Sequence, residues 1–126
     1  MTASPHSLWF TQMIEYEVPA SRQAALAEAL VTRSEELAVR CQGLQSVSIQ
    51  VSDDGSRVLQ YLLWQSRLAW VEAADCFAEE PFFDLLSRHQ ARGVNFAAYQ
   101  TLHSLVRGSD GGLHCQVGGP QAYQGA

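Results

Sequence analysis

The chain has 126 residues, enough for one domain with a small core or for one half of a shared core. Hydrophobic residues make up 47% and charged residues only 17%, so little of the surface favours water and self-association is expected. The net charge is −5, every basic residue is arginine and none are clustered, which speaks against nucleic acid and anionic membranes as partners.

The first strand is expected from about Leu8 to Val18, with Leu8, Phe10, Ile14, Tyr16 and Val18 on one parity and Gln12 interrupting them. Pro19-Ala20-Ser21 ends it, and Ser21 is expected to cap a helix running to about Arg40. Leu26, Leu30 and Leu37 form its apolar stripe, and Gly43 suits a left-handed residue after its end. A second strand spans Leu44–Val51, and Asp54-Gly55 is the strongest hairpin signal in the chain. The third strand is Val58–Trp64. A second helix is expected from about Leu68 to Ala78, then another from Pro81, at the first helical position, to about Gln90, with Gly93 ending it. A fourth strand, roughly Phe96–Val106, completes the domain at residues 1–107. Residues 108–126 read as a Gly-rich tail.

Cys41, Cys76 and Cys115 are far apart and lack a Cys-x-x-Cys spacing, which fits thiols in a reducing cytosol better than disulfides or a zinc site. No run of 18 apolar residues and no signal-peptide pattern is present, so a cytoplasmic protein is expected, with no membrane association.

The stretch from Val58 to Trp70 carries the most information. The third strand is apolar at every position but Gln60, so it is expected to be buried on both faces. Gln60 shares a face with Val58, Leu62 and Trp64. Ser66 then caps a helix that brings Trp70 back toward that face. An amide and two indoles near one junction suggest the lining of a pocket for a flat aromatic molecule.

Strand, helix, strand, strand, helix, strand is the ferredoxin-like βαββαβ order, an α+β fold with a four-stranded antiparallel sheet. Two helical regions cover one face only. Leu59, Tyr61 and Leu63 point to the other, so a homodimer packed sheet to sheet is expected.

The element order, the turn Asp53-Asp54-Gly55, the run Gln60–Ser66 and Ala69-Trp70 resemble the antibiotic biosynthesis monooxygenase superfamily, over about Leu8 to Val106. The most specific piece is Trp-x-Ser-x-x-Ala-aromatic, which marks the fold better than any one activity. The resemblance implies a dimeric α/β barrel. It also implies cofactor-free oxidation of an anthrone-like aromatic polyketide to a quinone, with dioxygen as co-substrate. In such enzymes an amide and a tryptophan of the third strand, with an aromatic of the next helix, line the substrate pocket. Gln60, Trp64 and Trp70 occupy those positions, although the family amide is commonly Asn and Gln60 is one methylene longer. A pocket arginine is also implied, for which Arg88 or Arg92 are candidates.

No dinucleotide, phosphate-loop or metal-ligand spacing is present, so no cofactor and no metal is expected. The substrate must then supply the electrons, and the protein a donor, a flat wall and a base. Gln60, Trp64, His103 and His89 are the candidate catalytic residues, His6 and His114 lying in the termini. Trp70, Leu62, Arg88 and Phe83 are the candidate substrate-binding residues. Each also has a structural reading. Trp64 and Trp70 can be core, Gln60 can bond a neighbouring backbone, and His103 can sit at a dimer seam. His89 can be a helix-end residue, and Phe82 and Phe83 can anchor their helix. Two other functions fit the same pattern: a polyketide cyclase, and a non-catalytic dimeric binding or assembly subunit. Heme degradation fits less well, because positions four after Phe82 and Phe83 are Leu86 and Ser87 rather than histidine.

Overall fold

The computed structural model describes residues 9–74 and 79–117. Four strands, β1 (Phe10–Glu17), β2 (Leu44–Val51), β3 (Arg57–Trp64) and β4 (Arg92–Gln100), form an antiparallel sheet in the order β2-β3-β1-β4. This is the ferredoxin-like topology read from the sequence. Helices α1 (Gln23–Arg40), α2 (Arg67–Ala73) and α3 (Glu79–Arg88) supply the other layer. None of the described helices is long and apolar enough to cross a membrane.

Strand parity decides what is buried. Phe10, Ile14 and Tyr16 of β1 lie on one face with Val58, Gln60, Leu62 and Trp64 of β3, and all of them are buried. Against them pack Leu26, Leu30 and Leu37 of α1 and Leu85 and Leu86 of α3. Leu59, Tyr61 and Leu63 point the other way, half-buried, with Met13 across from Tyr61 and Ala97 across from Met13. Arg57 bridges Glu15 at 3.4 Å and Glu17 at 3.6 Å near one end of that face.

Two junctions behave as their residues dictate. The Ser66 side chain accepts the Ala69 N–H, capping α2 as expected. In the β2–β3 turn, Gly55 takes φ +80°, open to glycine without strain. Asp54 Oδ1 beside it accepts from Ser56 N at 2.9 Å, Ser56 Oγ at 2.7 Å and Ser52 Oγ at 2.8 Å. These bonds, the Ser56 N–H first among them, pull the Asp54 carboxyl down to about 2. A carboxyl depressed by folding adds stability above its ordinary value of 3.8 and loses it as pH falls toward about 2. Asp54→Asn is therefore expected to flatten the acid limb of the stability profile, read as denaturant midpoints from about pH 5 down to pH 2. An unchanged acid limb would mean that this turn is not coupled to folding.

Several expected boundaries shift. Ser21 lies inside a 3-10 turn, Ala20–Arg22, and α1 starts after Arg22 with no side-chain cap. Gly43 is not left-handed. Its missing Cβ matters because one built there would stand 2.6 Å from Ala69 Cβ, so α2 crosses the β2 entrance only over glycine. Pro81 is the third residue of α3, and Gln90, at φ 56°, takes the left-handed turn after it while Gly93 sits within β4. The single strand Phe96–Val106 is in fact two. β4 ends at Gln100, where its partner β1 begins at Phe10, and a separate strand β5 (His103–Arg107) follows. β5 pairs with β6 (Leu113–Val117), so part of the segment read as a tail is a ribbon outside the main sheet. Leu8, Cys76 and residues 118–126 lie outside the described residues.

Candidate functional site

Between the sheet and the helices lies a cavity of about 260 Å³, lined by Gln12, Ile14, Arg33, Leu37, Gln60, Leu62, Phe82, Phe83 and Phe96. That is just below the roughly 300–1,000 Å³ usual for small-molecule sites. Its side toward β4 is open, where Phe83 and Phe96 are 62% and 64% exposed. Ile14, Gln60 and Phe96 form one cross-strand row, because Ile14 is the register partner of both others.

Gln60 is the polar centre of the floor. It is only 3% exposed, and a buried amide must be bonded at both ends. The Tyr16 hydroxyl donates to Gln60 Oε1 at 2.7 Å, and Gln60 Nε2 donates to Ser34 Oγ at 3.2 Å. The Ser34 hydroxyl in turn donates to the Leu30 carbonyl at 2.7 Å. This chain fixes the amide orientation, spends one Nε2–H on Ser34 and leaves the other for a ligand. Burial pushes the Tyr16 phenol well above its ordinary value, with Arg33 opposing, so Tyr16 is a fixed donor rather than a base.

Arg33 enters the cavity from α1. Its guanidinium lies 4.5 Å from the centre of the Phe82 ring, a cation–π contact, and the ring of Phe82 meets that of Tyr16 edge-on at 6.2 Å. Burial lowers the Arg33 pKa, and Arg40 pushes the same way, while Tyr16 and Glu36 oppose them.

The sequence candidates separate into two groups. Gln60, Leu62 and Phe83 line the cavity together. Trp64 shares their face but is fully buried at the end of β3, its indole N–H directed at Gln12 Oε1 over 3.4 Å. Trp70 packs on Phe10 with ring centres 5.0 Å apart, partly buried against the core. His89 follows α3, with its backbone N–H on the Leu86 carbonyl and Nδ1 buried without a partner among the described residues. Arg88 is exposed and pairs with Asp84 at 3.7 Å, and Arg92 pairs with Glu17 at 2.7 Å on the sheet edge. His103 is not on the main sheet. It stands on the β5–β6 ribbon, with Nδ1 3.5 Å from the Cys115 thiol. None of these six lines the cavity.

Gln12, Tyr16, Arg33, Ser34 and Phe96 had no site role in the sequence reading. A signal existed for Gln12, which breaks the apolar parity of β1 as Gln60 breaks that of β3. Ser34 fills the gap in the Leu26-Leu30-Leu37 stripe, one turn after Leu30. Nothing in the spacing pointed to Arg33.

Known structures share this fold. A monooxygenase from the ActVA-Orf6 gene of Streptomyces coelicolor, solved with nanaomycin D, aligns with a TM-score of 0.64 at 18% identity, covering 80% of this chain and 94% of that one. A dimeric ferredoxin-like protein from an uncultured marine organism aligns with a TM-score of 0.59 at 17% identity, covering 77% and 98%. SnoaB, a cofactor-independent oxygenase from Streptomyces nogalater, aligns with a TM-score of 0.53 at 10% identity, covering 75% and 94%. No protein-family model matches the chain, and no curated protein matches it significantly. The fold is therefore the ferredoxin-like one shared with these structures.

Proposed function

We propose that the chain is a cofactor-independent monooxygenase that oxidises an anthrone-like aromatic polyketide intermediate to a quinone with dioxygen. The observation that carries this reading is the cavity, in which Phe82, Phe83 and Phe96 surround two amides and one guanidinium on a rigid sheet floor. Likeness to oxygenase structures, one of them solved with nanaomycin D, supports it. The chain is read further as a cytoplasmic homodimer with the Leu59-Tyr61-Leu63 faces packed together.

An anthrone supplies the electrons itself. Loss of one proton from its methylene gives a carbanion whose charge is shared with the carbonyl oxygen across the ring. That anion transfers an electron to dioxygen, and the carbon and oxygen radicals join as a peroxide anion. Protonation gives a hydroperoxide, and loss of water leaves the second carbonyl. The balance is CH2 plus O2 to C=O plus H2O. The protein's part is to hold the ring flat and place the free Gln60 Nε2–H on the enolate oxygen, with Tyr16 and Ser34 keeping the amide from rotating. The described lining residues include neither histidine nor carboxylate, so the reading assigns proton loss to water at the open side.

Purified protein, verified free of flavin, heme and metal, should speed oxygen uptake by an anthrone, with quinone formed in equal amount. His103→Ala and His89→Ala should each keep turnover within about tenfold of the parent, since loss of a true general base costs roughly 10²–10⁴-fold. A loss of that size in either variant would restore a histidine base and reject the water route. If aromatic polyketides bind but no oxygen is consumed, the oxygenase reading fails and a cyclase or binding role replaces it.

A further inference from the structure

Arg33 is the one charged residue among the described residues that line the cavity, in a chain whose net charge is −5. Its guanidinium is half-buried, rests on the face of Phe82, and makes no hydrogen bond or ion pair among the described residues. Its N–H donors reach solvent and find no acceptor on the described residues, and a cation–π contact occupies none of them. Around it stand the Tyr16 phenol from β1 and Glu36 and Arg40 from its own helix. The Tyr16 hydroxyl donates to Gln60 and accepts no hydrogen bond from Arg33, and Glu36 is exposed. The guanidinium is therefore left open to an anion from outside the chain.

We infer that Arg33 is a specificity-determining residue that recognises an ionised oxygen on the substrate, so that the cavity selects acidic polycyclic aromatics over neutral ones of equal shape. This rests on the reading of the cavity as a substrate site. The ring lies among Phe82, Phe83 and Phe96, and the guanidinium fork takes the oxyanion at its rim. An anion entering there restores the charge stabilisation that burial removes from Arg33. The oxyanion is a carboxylate on the ring system or a ring hydroxyl that has lost its proton, and each calls for the same donors.

Binding of two matched pairs of non-reacting ring compounds tests it by calorimetry: an anthraquinone carboxylate against its primary amide, and, at mildly alkaline pH, a hydroxyanthraquinone against its methyl ether. The wild-type protein should prefer the ionised member of at least one pair by about tenfold or more. Preference in the first pair alone identifies a carboxylate, and in the second alone a phenolate. Arg33→Gln should bring the ratio close to one, Arg33→Lys should keep part of it, and Arg67→Gln, outside the cavity, should leave it unchanged. Equal binding within both pairs by the wild type, or a preference surviving in Arg33→Gln, overturns the inference. The preference without oxygen uptake would reject the oxygenase reading alone, and oxygen uptake without the preference would reject this inference alone.

Discussion

Tyr61→Glu is expected to turn a dimer into monomeric or insoluble protein. Tyr61 sits mid-strand on the sheet face that no described helix covers, across from Met13 on β1 and Ser48 on β2. Leu59 and Leu63 flank it two residues away on the same side, and Ala97 continues the row onto β4. In the proposed dimer this apolar strip, set among polar neighbours such as Ser48 and Thr11, is buried against a second copy related by a two-fold axis. A carboxylate at position 61 would then meet its own symmetry mate in an apolar seam, with two charges desolvated and no cation opposite. Breaking a buried charge balance in this way costs about 3–5 kcal/mol. The nearest cation on that face, Arg57, is already shared between Glu15 and Glu17. Gel filtration with light scattering reads the outcome, with Tyr61→Phe as the variant that should stay dimeric. A dimer that survives Tyr61→Glu at micromolar concentration would put the interface on another face.

How much of this was legible in the sequence depends on how local each determinant is. Period-2 alternation puts Gln60, Leu62 and Trp64 of β3 on one face, and the structure turns that face toward the helices. Ser66 and Asp54-Gly55 work within three residues of themselves, so the cap and the turn were readable too. The site was only half readable, because its polar network joins residues far apart in the chain. Tyr16 meets Gln60 across 44 positions and Gln60 meets Ser34 across 26, and no spacing rule connects such pairs. Arg33 was invisible for the same reason. On a helical wheel it borders the leucine stripe and looks solvated, and only the arrival of Phe82 from α3 shows which way it faces. His103 was misplaced by a different effect. A strand persists only while its neighbour offers hydrogen bonds, and β1 ends at Phe10, so the chain leaves the sheet after Gln100 and His103 goes with the ribbon.

The largest stability loss is expected from Trp64→Ala. Trp64 is fully buried, closes the end of the core where β3 passes into α2, and has Phe10 of β1 and Leu44 of β2 as its register partners. Removing an indole from such a place forfeits its transfer free energy and leaves a void that a sheet cannot collapse to fill, a cost of about 3–5 kcal/mol. Against a total stability of about 5–15 kcal/mol, that can leave the chain only marginally folded. Trp64→Phe separates the two parts of the effect. It keeps most of the volume and loses the indole N–H that points at Gln12, a long contact worth about 1 kcal/mol or less. Denaturant unfolding of the two variants should therefore differ by about 2 kcal/mol or more, with Trp64→Phe the milder. Because Gln12 lines the cavity and Trp64 does not, Trp64→Phe should also loosen aromatic ligands modestly while the fold holds. Equal losses from the two substitutions would mean that the N–H, rather than the ring, is what Trp64 contributes, and would move it from the core into the polar machinery of the site.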